Sequence, residues 1–93
     1  MTAAQLIESI FSRPQQGMST GMRRITRAQL IYLRNLIDED PGAGVIKRGA
    51  PGSLVWMPRG DRYQFVIAED LVGEKHSLTR LAVTTPQGMG SLF

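Results

Sequence analysis

The carboxylates Glu69, Asp70 and Glu74 and the only imidazole of the chain, His76, fall close together, with Lys75 between the last two and Arg80 just beyond. Metal-independent cleavage of RNA needs a general base, a general acid and a cation facing the charge of the transition state. Glu74, His76, Lys75 and Arg80 include a residue type for each role. A metal site would instead need several convergent ligands, and nothing in this spacing enforces convergence. The chain has no cysteine, which excludes a disulfide framework, Cys-based zinc or iron–sulfur sites and a thiol nucleophile. A lone histidine excludes any site that needs two of them in one chain. Gly42-Ala43-Gly44 resembles a phosphate loop only in composition: it precedes a strand pattern, and the Walker lysine is missing. No catalytic residue, metal ligand or cofactor is therefore assigned. A metal-independent, ribonuclease-like toxin stands as a third reading behind two binding functions.

The charge distribution points to the first of these. The net charge is +3, and nine of the eleven cations are arginine. Between Ser9 and Ile37 there is no acid, while Arg13, Arg23, Arg24, Arg27 and Arg34 all lie there; Asp38-Glu39-Asp40 follows at once. The planar guanidinium fork suits bidentate contact with phosphate or carboxylate. Lys47, Arg48, Arg59 and Arg62 form a second basic set, with Trp56, Tyr63 and Phe65 interleaved as stacking platforms or, more commonly, core residues. The expectation is a small non-enzymatic regulator or accessory protein that contacts a nucleic-acid backbone through Arg23, Arg24, Arg27, Arg48, Arg59 and Arg62. The alternative is a protein–protein module, either a homodimer formed through apolar helix faces or a domain steered to an acidic partner. Arg59-Gly60-Asp61 spells an integrin tripeptide and reads as a hairpin turn.

The elements that must position these side chains are legible. Residues 2–12 read as a helix: Thr2 and Gln5 form a capping box, and Ala3, Leu6, Ile7, Ile10 and Phe11 share one arc. Pro14 ends it, and 13–25 reads as a long loop. Residues 27–39 read as a second helix with the same start, Thr26 and Gln29 being its capping box. Leu30, Leu33 and Ile37 make its core stripe, Leu36 lies beside it, and Ile31 and Tyr32 are left over. Arg27 sits at the positive end of this helix dipole and Asp38 with Glu39 at the negative end, so a compensating charge is expected from elsewhere. Arg34 is expected to pair within the chain, with the 38–40 acids or with Glu69 and Asp70.

Beyond Gly44 the period changes to that of strands: 45–48, 53–57, 62–69 and 76–83, separated by Gly49-Ala50-Pro51-Gly52, Pro58-Arg59-Gly60-Asp61 and a Gly73 loop. Leu54-Val55-Trp56-Met57 is apolar on both sides, the pattern of a central strand. The tail 84–93 reads as loose. The expected fold is α+β: two N-terminal helices packed on a three- to four-stranded antiparallel meander. A winged helix would need a third helix, which 13–25 does not supply. Ninety-three residues suffice for one domain with a modest core. No apolar run approaches the roughly 20 residues of a membrane span, so a soluble cytoplasmic domain with no membrane contact is expected.

Overall fold

A computed structural model describes residues 1–15, 21–70 and 75–83. Both helices start as their sequences dictate. The Gln5 N–H donates to Thr2 Oγ1 (3.1 Å) and the Thr2 N–H to Gln5 Oε1 (2.9 Å), opening α1, Ala3–Phe11. Thr26 and Gln29 repeat both bonds at the start of α2, Arg27–Glu39. A single 3₁₀ turn, Pro41–Ala43, leads from α2 into the sheet.

The sheet has five strands: β1 (Met22–Ile25), β2 (Gly44–Arg48), β3 (Ser53–Pro58), β4 (Tyr63–Ala68) and β5 (His76–Ala82), in the order β1-β5-β4-β3-β2. Every pairing is antiparallel. The meander of β2 to β5 is as expected. The fifth strand is not: it comes from 22–25, inside the stretch read as a loop, and residues 16–20 of that stretch lie outside the described ones. Met22-Arg23-Arg24-Ile25 is too short and too charged to announce a strand. It becomes one by pairing with Ser77–Thr79 and His76 of β5, far along the chain. The tail 84–93 also lies outside the described residues.

β1 and β2 sit at opposite edges and run in the same direction, so α2 crosses the whole sheet between them. Leu30, Leu33 and Ile37 of α2 and Ala3, Leu6, Ile7 and Ile10 of α1 are buried against Ile25, Trp56, Phe65, Ile67 and Leu78. The registers place all these sheet residues on one face: Trp56 lies opposite Phe65, Ile67 opposite Leu78, and His76 opposite Ile25. The core is therefore a single layer between helices and sheet. Among the described residues no helix is long and apolar enough to cross a membrane.

Gly44 is where the sheet begins after α2, and its backbone is extended. A Cβ there would lie 2.5 Å from the Met57 carbonyl oxygen and 2.7 Å from Trp56 Nε1. Gly44→Ala is therefore expected to destabilise the fold by about 1–3 kcal/mol, the usual cost of overpacking a tight site. At Gly42 the nearest atom to a Cβ is Asp40 Oδ1, at 3.9 Å, so Gly42→Ala should stay within about 0.5 kcal/mol. Urea unfolding of the two variants checks both values.

Candidate functional site: the open face of the sheet

The six arginines expected to contact a nucleic-acid backbone take separate positions, Arg48 and Arg59 at opposite ends of the sheet as a meander allows. Arg23 and Arg24 are neighbours on a strand, so their side chains leave opposite faces. Arg23 goes inward and is 7% exposed. Its Nε donates to Arg13 O (2.9 Å) and its Nη2 to Phe11 O (3.3 Å), both carbonyls left over at the C-terminus of α1. Its Nη1 donates to Met22 O (2.8 Å), and its guanidinium stacks on the Phe11 ring, 5.1 Å from the centroid. Arg23 thus joins α1 to β1 from inside the fold. Arg24 points to the opposite face and is exposed.

Arg27 and Arg34 both reach Glu69, each at 3.5 Å. Glu69 is the compensating charge that the reversed dipole of α2 called for, and the intrachain pairing expected of Arg34 is present. Arg27, placed on the phosphate side of the expectation, shares the same carboxylate. These pairs lie near the surface, where each contributes at most about 1 kcal/mol. Arg48 ends β2, whereas Arg59 follows Pro58, which pairs with Gly44 at the other end of the same strand. Four residues of strand separate the two ends, roughly 13 Å. Arg59 Nε donates to Gly42 O (3.1 Å), and Arg62 is exposed beside it. Arg24, on the far edge strand, is about 19 Å from β2 by strand spacing. The basic residues that crowd the sequence thus lie on two edges, two ends and two faces.

Of the three interleaved aromatics, two are buried and Tyr63 is exposed. Trp56 and Phe65 belong to the core, their ring centroids 6.3 Å apart. Tyr63 is on the same face and stacks on Arg80 at 5.1 Å, while the other side of that guanidinium meets Phe11 at 4.8 Å. Arg80 therefore lies between two rings beneath α1. His76 is 2% exposed, and its Nδ1 accepts the Asp70 N–H at 3.4 Å. His76 and Arg80 are four residues apart on one strand, again roughly 13 Å, so one reacting group cannot touch both. Glu74 lies outside the described residues, and among the described ones no group of carboxylates and histidine gathers to hold a metal.

The second face of the sheet is the feature that the residue-by-residue reading missed. Both helices lie on the first. The residues alternating with the core, Val45, Val55, Met57, Val66 and Leu81, therefore project to the other side, where no described element covers them. They meet across the strands, Val45 opposite Met57 and Val55 opposite Val66. Val45 is 50% exposed and Leu81 44%. Met22, Ala68, Ser53, Ser77, Thr79 and Gln64 fill the spaces between. Arg24 stands at one edge and Lys47 at the other, and the described strand residues on this face include no acid. The signal for it was the Leu54-Val55-Trp56-Met57 run. Apolar residues on both sides of β3 indicate two surfaces to bury, and the described elements bury only one. The apolar arc of α1, read as a dimer surface, is occupied instead by the chain's own core.

These placements separate structural from surface arginines. Arg23→Ala is expected to cost about 1–3 kcal/mol, because carbonyls at the end of α1 lose their donors. Arg62→Ala should change stability by less than about 0.5 kcal/mol. Thermal unfolding followed by circular dichroism distinguishes them.

Comparison of the chain with protein-family models, curated proteins and solved structures finds no match.

Proposed function

We propose that this chain is a non-enzymatic protein-interaction module that docks a protein partner on the open face of its sheet. The observation that carries this reading is the uncovered group Val45, Val55, Met57, Val66 and Leu81, paired across adjacent strands. Contiguous apolar surface of this kind gains about 25 cal/mol for each Å² removed from water, and on small proteins it marks contact sites. The chemistry of the partner follows from the rim. Arg24 and Lys47 flank the apolar centre without a carboxylate between them, which favours a partner with an apolar patch bordered by Asp or Glu. A nucleic acid is the lesser fit. This face presents no aromatic side chain on which a base could stack, and its two cations stand at opposite edges. Of the other expected phosphate contacts, Arg23 is committed to the end of α1 and Arg27 to Glu69.

The direct test is NMR titration with an amphipathic peptide of leucine and glutamate, alongside duplex DNA, single-stranded DNA and RNA at two salt concentrations. The peptide is expected to shift the resonances of Val45, Val55, Met57, Val66 and Leu81 and to leave those of the helices in place. Val66→Lys should weaken that binding at least about tenfold, since it puts a desolvated charge at the centre of an apolar contact. Shifts produced by nucleic acid and not by peptide, centred on Arg59 and Arg62, would transfer the function to the phosphate reading.

A further inference from the structure

The two edges of the sheet are not treated alike. On β1 the residues whose backbones turn outward are Met22 and Arg24; Met22 O accepts from Arg23 Nη1, and Gln15 covers Arg24. Gln15 Nε2 donates to Arg24 O (2.8 Å), and the Arg24 N–H donates to Gln15 Oε1 (2.7 Å). A side-chain amide thus takes the place of a neighbouring strand, a common protection for an edge. On β2 nothing comparable is present. The Arg59 N–H donates to Ala43 O at 2.8 Å. By the alternation of an antiparallel ladder, Val45 and Lys47 then turn their N–H and C=O toward β3. Those of Gly44, Ile46 and Arg48 face outward, with no partner among the described residues. Ile46 is itself 43% exposed. Ile31, on the stripe of α2 that also bears Arg34 and Asp38, is exposed as well.

We infer that β2 pairs with β2 of a second copy, antiparallel about Ile46, joining two sheets into one. This surface is distinct from the open face and does not depend on that reading. The sequence of β2, Gly44-Val45-Ile46-Lys47-Arg48, is complementary to itself in this register. Ile46 faces Ile46 of the second copy, and Gly44 faces Arg48, each pair closing two backbone hydrogen bonds. Lys47 faces Val45, so no like charges stand directly opposite, although cations on an edge ordinarily prevent pairing. The Gly44–Arg48 pair fixes the choice of partner. Gly44 has no side chain to obstruct a neighbour, and it lines an open pocket of about 470 Å³ with Asp38, Ile37, Ile46, Trp56 and Arg59, whose Nε is held by Gly42 O. The second copy's Arg48 would extend across Gly44 into that pocket, toward Asp38. Among the described residues, Asp38, Glu39 and Asp40 make no ion pair. By symmetry the same contact forms twice, so the basic end of each β2 meets the acidic end of the other copy's α2.

Sedimentation velocity over a concentration series, with intact folding confirmed by circular dichroism, tests the inference. A reversible dimer is expected for the natural sequence. Ile46→Pro removes an outward N–H without touching the ladder to β3 and should give a monomer at every concentration. If that variant fails to fold, Ile46→Lys takes its place, because it sets two ammonium groups opposite each other. Asp38→Arg and Arg48→Asp should each weaken the dimer about tenfold, since symmetry removes the ion pair twice. Combining the two should restore it. A strictly monomeric natural chain would overturn the inference, as would a dimer that survives both Ile46 variants. A dimer lost with Val66→Lys but kept by the Ile46 variants would place self-association on the open face instead.

Discussion

A helix that begins at one edge of a sheet and ends at the other must cross everything between, and α2 does so over five strands. Its stripe of Leu30, Leu33 and Ile37 closes the centre of one face, with α1 alongside. The rest of the structure depends on that crossing. It sends β1 and β2 to opposite edges and commits Trp56, Phe65, Ile67 and Leu78 to the helix side. Both helices are then used on one side, so β3 buries Trp56 and leaves Val55 and Met57 outward. The open face results from having a five-stranded sheet and two helices.

The same crossing explains the arginines. A helix laid with a cation at its positive end and acids at its negative end works against its own dipole. The crossing brings the first turn of α2 to the end of β4, where Glu69 holds Arg27 and Arg34 together. At the other end, Asp38-Glu39-Asp40 form no ion pair among the described residues and stand at the start of β2. Charge that looks like one basic region followed by one acidic cluster becomes, in the fold, a satisfied end and an unsatisfied end of the same helix. Arg23 shows a second way in which a cation leaves the surface. Donors on three sides of its guanidinium are engaged with carbonyls, and its flat face rests on Phe11. Such a group holds α1 to the sheet and is not available to a ligand.

Two surfaces are left uncovered by the described residues, and they differ in chemistry. The open face offers side chains, apolar in the middle and basic at the rim, and suits a partner that brings its own apolar patch. The β2 edge offers backbone groups in a five-residue register and suits another strand. The guarded β1 edge makes the free β2 edge more informative than an exposed strand alone, because Gln15 shows what protection looks like in this fold.

The local elements were legible from the residues. Capping boxes at Thr2 and Thr26, the Leu30–Leu33–Ile37 stripe and the strand periods beyond Gly44 depend on neighbours within a few positions, where hydrogen-bond geometry and side-chain direction repeat regularly. The pairing of Arg34 was legible too, since a reversed dipole calls for a countercharge. What the residues could not reveal was which backbone groups and which faces distant partners would claim. β1 exists because β5 supplies its hydrogen bonds, so Met22–Ile25 looks like loop until the sheet is assembled. Arg23 and Arg24 look equivalent until a strand, with its period of two, sends one to the core and the other to solvent. The apolar pattern on both sides of β3 was determined by the sequence alone; which side the helices would cover, and which would be left for a partner, was decided only when α2 crossed the sheet.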